Sequence, residues 1–297
     1  MNDFRGGVIP IYKPQGITSF DVVAKVRRLF GTKQVGHTGT LDPMATGVLV
    51  VLVGRAVKAS DYVMSGVKAY RAGMRLGIET DTEDTTGKLM SKSDVIPARD
   101  DVIAAANTFI GDSMQIPPMY SALKIGGKKL VDMARQGVTV ERTPRPITVY
   151  SLTADGDGRD YTLCIRCSAG TYIRTICADI GRMLGCGAAM SALERTECGG
   201  FDIGQTVTIE EIENTVSEKR ADMLIPCEEL LSGLPSVRLE PFYERLCLNG
   251  CEIYQKKIKT GFDVGAVVRM YGADGFFGIG RVGEYENGTA VKLEKRL

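Results

Sequence analysis

Gly36-His37-Thr38-Gly39-Thr40-Leu41-Asp42-Pro43 leads, within a few residues, into Gly47-Val48-Leu49-Val50-Val51-Leu52-Val53-Gly54. The second segment is an unbroken apolar run, rich in β-branched side chains and of strand length, and it reads as a buried strand. The first segment has the opposite character. It holds the only histidine of the chain and a single aspartate fixed between a leucine and a proline, with glycines at 36, 39 and 47 around them. Glycine permits backbone geometry and close ligand approach that side chains forbid, and Pro43 biases the backbone of Asp42 toward extended geometry. A carboxylate is thus carried on a tight loop that feeds rigid core, and loops held by a scaffold carry chemistry more often than core does. The competing reading of Asp42 is a turn aspartate bonded to its own backbone.

Working outward, Gly7-Val8-Ile9-Pro10-Ile11-Tyr12 reads as a strand ahead of Lys13-Pro14-Gln15-Gly16. Thr18 or Ser19 can cap a helix that places Val22, Val23, Val26, Leu29 and Phe30 at helical spacing. Ala56 to Met64 reads as a short helix, and Lys68 to Gly77 alternates as a strand. The acidic run Asp81-Thr82-Glu83-Asp84-Thr85-Thr86-Gly87 reads as a solvated hairpin turn, since its spacing differs from that of a calcium-binding loop. Helices are expected over 99–109, 128–136 and 209–216, with another opening at Gly170-Thr171. Strands over 147–154 and 161–168 flank the hairpin signal Asp155-Gly156-Asp157-Gly158, and one more spans 190–197. Beyond Leu234-Pro235 the pattern changes to short strands at 266–271, 276–282 and 290–293, separated by glycine turns. The expected architecture is α+β: a catalytic domain over residues 1–235, with a mixed, largely antiparallel sheet and flanking helices, then a small β-rich domain over 236–297.

With 297 residues, 44% hydrophobic and 25% charged, the chain has the composition of a soluble globular protein able to bury a large core. No leader-like segment and no long uninterrupted apolar run is visible, so a cytoplasmic, membrane-free protein is expected. The formal net charge of +1 does not announce a nucleic-acid binder, but cations gather near 25–33 and 124–145 and can form a basic face. Of the eight cysteines, Cys164 and Cys167 form a C-x-x-C on an alternating strand, where they face opposite ways and cannot share a metal. Reduced thiols and no metal site are expected.

The order of the octet around Asp42, followed by Ala45-Thr46-Gly47, closely resembles the active-site loop of the TruB-type tRNA pseudouridine synthases. Lys13-Pro14-x-Gly16-x-Thr18-Ser19 resembles the N-terminal motif of that family, and Tyr70 with Leu76-Gly77 its tyrosine-bearing strand. Gly170-Thr171-Tyr172-Ile173-Arg174-Thr175 resembles the segment that supplies a tyrosine and an arginine, and Leu193 matches a position that contacts the target base. The likeness runs through most of residues 7–204, and the tail more loosely resembles the family's PUA-type RNA-binding domain. It implies a pseudouridine synthase fold, Asp42 as the catalytic carboxylate, and conversion of the uridine at conventional position 55 of the tRNA T loop. It also implies a stand-alone enzyme, working without guide RNA; a monomer is expected.

The chemistry is consistent with that likeness. Pseudouridine formation breaks the C1′–N1 bond of uridine, turns the uracil, and rejoins it through C5, so no cofactor is needed. A carboxylate can attack C1′, stabilise an oxocarbenium-like centre or remove the 2′ proton, and the residues leave these routes open. Arg174 is the candidate to keep Asp42 ionised, with Asp42, Tyr70 and Arg174 as the catalytic group. Tyr70 and Tyr172 offer faces for stacking a flipped base, and a phenol can take the C5 proton. His37 is either a loop-ordering donor or an RNA contact, and Lys13 either steadies the loop or meets phosphate. Competing readings are an RNA-binding protein without catalysis and a hydrolytic nucleosidase built on Asp42.

Overall fold

The computed structural model describes residues 6–63 and 66–297. Seven strands form the spine of its larger sheet, in the spatial order Gly6–Lys13, Thr46–Gly54, Ala188–Cys198, Lys68–Leu76, Asp160–Cys167, Arg145–Asp157 and Gly111–Gln115. Every pairing along this path is antiparallel except that of Ala188–Cys198 with Thr46–Gly54, which is parallel. The expected mixed, largely antiparallel α+β architecture is what the chain adopts.

The apolar run 47–54 owes its unbroken character to burial on both faces. Successive side chains of a strand point to opposite sides. Val48, Val50 and Leu52 accordingly enter one core with Val8, Ala56 and Phe201. Leu49, Val51 and Val53 enter another with Ile9, Ile11, Val22 and Val26. Each such side chain contributes about 1.5–3 kcal/mol when fully buried, so a polar substitution anywhere along this strand is costly. Gly47 is required where the parallel pairing begins: its φ is +102°, and a Cβ there would stand 2.2 Å from the Arg195 carbonyl oxygen.

The helix Ser19–Leu29 covers the second of these cores. Thr18 caps it: its hydroxyl accepts from the Asp21 amide at 3.0 Å, and the Asp21 carboxylate accepts from the Thr18 amide at 2.8 Å. On the other half of the sheet, Ile173, Ile176, Cys177 and Ile180 of the helix Ile173–Met183 meet Tyr70, Met74, Leu163 and Ile165 from the strands.

From Ser236 a second, five-stranded sheet forms, in the order Ser236–Arg238, Val267–Gly272, Gly275–Tyr285, Gly288–Arg296 and Ile253–Tyr254. Its Ile279 and Leu297 share a core with Val8, Val48 and Leu52, so the two sheets are packed together. This part also carries a helix, Pro241–Leu248, where only strands were expected. Proline at its first turn, where no intrahelical donor is needed, was the available signal.

Several boundaries differ from expectation. The hairpin turns at Gly158-Arg159, two residues late, because Asp155 and Gly156 pair with Thr162 and Tyr161. Lys128 and Lys129 pair with Lys124 and Ile125 before the helix Leu130–Arg135 begins. The helix expected from Ala56 is a 3-10 helix over Arg55–Ala59 that continues as a single α-helical turn over Ser60–Val63, and Met64, the expected helix end, lies outside the described residues. Cys164 is exposed and Cys167 buried, as alternation requires.

Candidate active site

The loop bearing Asp42 leaves the middle of the large sheet. Val35–His37 pairs with Thr46–Gly54, and the Thr38 amide donates to the Val50 carbonyl at 3.1 Å. Beyond that point the loop is tied residue by residue. The buried Ser19 hydroxyl accepts from the Leu41 amide at 2.8 Å and donates to the Leu41 carbonyl at 3.1 Å. The Gly16 amide donates to the Pro43 carbonyl at 2.8 Å, and the Ala45 amide to the Asp42 carbonyl at 3.0 Å. Arg195, fully buried, donates from Nε to the Val48 carbonyl at 2.7 Å and from Nη2 to the Gly39 carbonyl at 3.1 Å. Both neighbours of Asp42 are therefore fixed, and only its side chain projects free of these ties.

That side chain meets Arg174, whose Nε stands 3.0 Å from Oδ2. The guanidinium is 6% exposed and the carboxylate 36%, so the pair has one buried and one accessible partner. Nη1 of Arg174 donates to the Thr82 carbonyl at 3.0 Å, Nη2 donates to the Tyr120 carbonyl at 2.8 Å, and the Asp84 carboxylate lies 3.7 Å from Nη1. Burial raises the Asp42 pKa above its ordinary value; the Arg174 charge opposes that rise and the Asp84 charge adds to it. Arg174 thus acts in the expected direction, but burial outweighs it.

The acidic run 81–87 is not the solvated turn its composition suggests. Two short strands, Ile78–Thr80 and Leu89–Lys92, do make a hairpin, but its turn folds inward. The Met190 amide donates to the Glu83 carbonyl at 3.0 Å, and the Thr85 amide to the Met190 carbonyl at 2.9 Å. Asp84 is buried, with Oδ1 accepting from the Thr82 and Thr86 hydroxyls and from the Thr86 amide. A carboxylate enclosed by such donors can be buried without prohibitive cost. This turn is a supporting wall for Arg174.

Asp42 and Arg174 open onto a pocket of about 470 Å³, to which Tyr70, Tyr172, Leu193 and Lys68 also contribute. Tyr70 is buried, Arg195 stands beside its hydroxyl, and burial pushes its phenol up to about 12, so at neutral pH it is protonated. Tyr172 caps the helix Ile173–Met183, two residues after the expected start. The buried Gln115 pins its backbone: Oε1 accepts from the Tyr172 amide at 2.8 Å, and Nε2 donates to the Tyr172 carbonyl at 3.0 Å.

Two residues proposed from the sequence for substrate contact stand outside the pocket lining. Lys13 is fully buried beneath the loop, its Nζ donating to the carbonyls of Pro14 at 2.9 Å, Ile17 at 2.7 Å and Pro43 at 3.4 Å. Burial lowers its pKa to about 8. Of the two roles left open for it, this geometry serves the loop and leaves no face for a phosphate. His37 orders the loop as an acceptor, where a donor had been expected, with Nδ1 receiving the Gly39 amide at 3.2 Å. Burial, Arg195 and Lys68 lower its pKa, which favours the neutral ring. Asp84 and Gln115 were given no site role from residue pattern; nor was Ser19, read as a helix cap and as part of the N-terminal motif, nor Arg195, although Arg195 shares the strand face of Leu193 by its spacing of two.

Residues 27–173 match the model of the TruB family pseudouridylate synthase N-terminal domain, and residues 174–232 that of the tRNA pseudouridylate synthase B C-terminal domain. Fold and sequence together define an enzyme, an isomerase of the pseudouridine synthase class. A tRNA pseudouridine synthase B of Clostridium novyi (strain NT) is 41% identical over 293 residues, covering 98% of this chain and 99% of the relative. That of Clostridium tetani (strain Massachusetts / E88) is 42% identical over 277 residues, covering 93% and 95%. Among solved structures, the crystal structure of a Cbf5-Nop10-Gar1 complex contains a chain 27% identical, with a TM-score of 0.74, covering 99% of this chain and 85% of that one. This chain belongs to the TruB family of pseudouridylate synthases.

Proposed function

We propose that the chain isomerises uridine to pseudouridine at position 55 in the T loop of tRNA, with Asp42 as the catalytic carboxylate and no cofactor or guide RNA. The observation that carries this reading is the Asp42–Arg174 contact of 3.0 Å at the mouth of a pocket shared with Tyr70, Tyr172 and Leu193. About 470 Å³ accommodates one nucleoside, so the uridine is extruded from its stack before it reacts. In the reaction the C1′–N1 bond breaks, uracil turns, a C1′–C5 bond forms, N1 gains a proton and C5 loses one.

Asp42 meets the sugar, since it is the carboxylate of the pocket lining and retains an accessible face. Arg174 holds it in one orientation and favours its charged form. Tyr70 enters as the neutral phenol and can pass its proton on only while receiving another, as a relay for the C5 proton. Leu193 and Tyr172 line the space for the base, where an apolar edge and a ring face tolerate a uracil that must turn between bond breaking and bond forming. In this reading residues 1–235 form the catalytic unit and 236–297 a PUA-like RNA-binding unit, in a protein that acts as a cytoplasmic monomer.

The test is carbodiimide labelling with primer extension on a T-loop hairpin RNA after incubation with the chain. A single stop at the position-55 uridine is expected. Release of free uracil would make the chain a hydrolytic nucleosidase, and binding without a stop would make it a non-catalytic RNA binder; either result overturns the proposal.

A further inference from the structure

Lys68 lies at the pocket wall and has no part in the chemistry described above. It opens the strand Lys68–Leu76, two residues before Tyr70 and on the same strand face. Among the described residues no carboxylate and no hydrogen-bond acceptor stands within bonding distance of its Nζ, although every other charged group deep in the pocket is paired. Another cation, Arg195, acts on it electrostatically, and both stand against Gly39. Gly39 makes room for them: its φ is +147°, and a Cβ there would stand 2.9 Å from Lys68 Nζ and 3.5 Å from Arg195 Nη1. Burial lowers the Lys68 pKa, as expected of an ammonium taken partly out of water without a counter-charge. Such an arrangement is unfavourable in the free protein and becomes favourable only when an anion arrives.

The charges of the lining indicate which anion. Asp42, Arg174, Lys68 and the rim residue Lys129 are its charged side chains, three cations against one carboxylate. Asp42 is already neutralised by Arg174. A uridine extruded from an RNA strand brings one phosphodiester on each side of its sugar, and the sugar is held at Asp42. We infer that Lys68, seated against Gly39, binds a phosphodiester oxygen flanking the extruded uridine and so fixes the sugar over Asp42. The inference rests on the proposed reading of the pocket as a uridine site. It makes Lys68 a substrate-binding residue that acts on affinity and alignment, with no role in bond breaking.

The experiment measures binding of the full chain to T-loop hairpin RNAs with Asp42→Asn in every binding arm, so that no conversion intervenes. Lys68 is compared with Lys68→Met, and with Lys68→Gln as the polar alternative should the methionine variant not stay folded. Each protein is titrated with RNA carrying the natural phosphates, or one neutral methylphosphonate immediately 5′ or 3′ of the target uridine. With Lys68 present, one of the two methylphosphonates is expected to weaken binding about ten- to a hundred-fold, the value of a charge-assisted hydrogen bond. With the variant, that linkage should become indifferent. The slope of log affinity against log salt should also fall by about 0.7, the contribution of one single-strand phosphate. A purely structural lysine would not remove the penalty at one linkage while leaving the other phosphates unaffected. Absence of a penalty at both linkages in the Lys68 protein, or an equal penalty in Lys68 and variant proteins, overturns the inference. Failure of the unmutated chain to make pseudouridine, with the linkage-specific penalty present, would sink the proposed reaction and leave the phosphate contact standing.

Discussion

Replacing Arg174 by lysine keeps the charge and removes the geometry. The guanidinium reaches three acceptors in three directions: Asp42 Oδ2 at 3.0 Å, the Thr82 carbonyl at 3.0 Å and the Tyr120 carbonyl at 2.8 Å. A lysine presents its donors from one nitrogen at the end of a flexible stem and cannot satisfy this set together. If the ammonium follows Asp42, two buried carbonyls lose their donor, at about 1–3 kcal/mol each before water compensates. If it stays with the carbonyls, Asp42 loses its partner and its orientation. Either way the carboxylate shifts relative to the sugar. Misplacement and lost charge assistance of about 2–4 kcal/mol in the transition state correspond to a rate roughly 30- to 1,000-fold lower. RNA affinity should stay within about threefold, because Arg174 is 6% exposed and stands behind Asp42. The assay is single-turnover conversion of T-loop RNA at saturating enzyme, with a gel shift for affinity and a thermal melt to establish folding. A folded Arg174→Lys enzyme with the unmutated rate would refute the reasoning.

Asp84→Asn removes a charge that raises the Asp42 pKa. In the proposed reaction the ionised Asp42 is the active form, so the acidic limb of the rate–pH profile should move to lower pH, and an upward move would contradict the network. Tyr70→Phe should retain RNA binding and lose turnover; full activity would remove the phenol from the proton path. Gly47→Ala forces a Cβ to within 2.2 Å of the Arg195 carbonyl oxygen at a φ of +102°. A loss of about 2 kcal/mol or more is expected, seen as a melting temperature lower by several degrees, and an unchanged melt would contradict the packing.

The legible parts of this chain were those whose local pattern survives in the fold. The run 47–54 was readable because burial on both faces leaves no polar break, and the helix after Thr18 because its cap and its apolar stripe agree. Residue type alone would have left Asp42 a turn aspartate; motif order singled it out, together with Tyr70 and Arg174. What stayed hidden depends on contacts distant in sequence. Asp84 reads as a solvated turn residue until the hairpin folds against Met190 and beneath Arg174, which bonds Thr82 across 92 positions. Gln115 looks like any strand polar residue, yet it pins Tyr172 across 57. Lys13 could steady the loop or meet phosphate by residue type, and only the enclosing carbonyls, Pro43 among them, decide for the loop. A polar side chain that the fold buries carries no mark of that fate in its immediate neighbours.

The account rests on the carboxylate at 42, and Asp42→Asn tests it most directly because the substitution preserves the side-chain shape and removes the charge. Single-turnover conversion of T-loop RNA should then fall to the uncatalysed background while the gel-shift affinity stays within a few-fold of the unmutated chain. An asparagine variant that still converts the uridine at a measurable enzymatic rate would contradict the central claim.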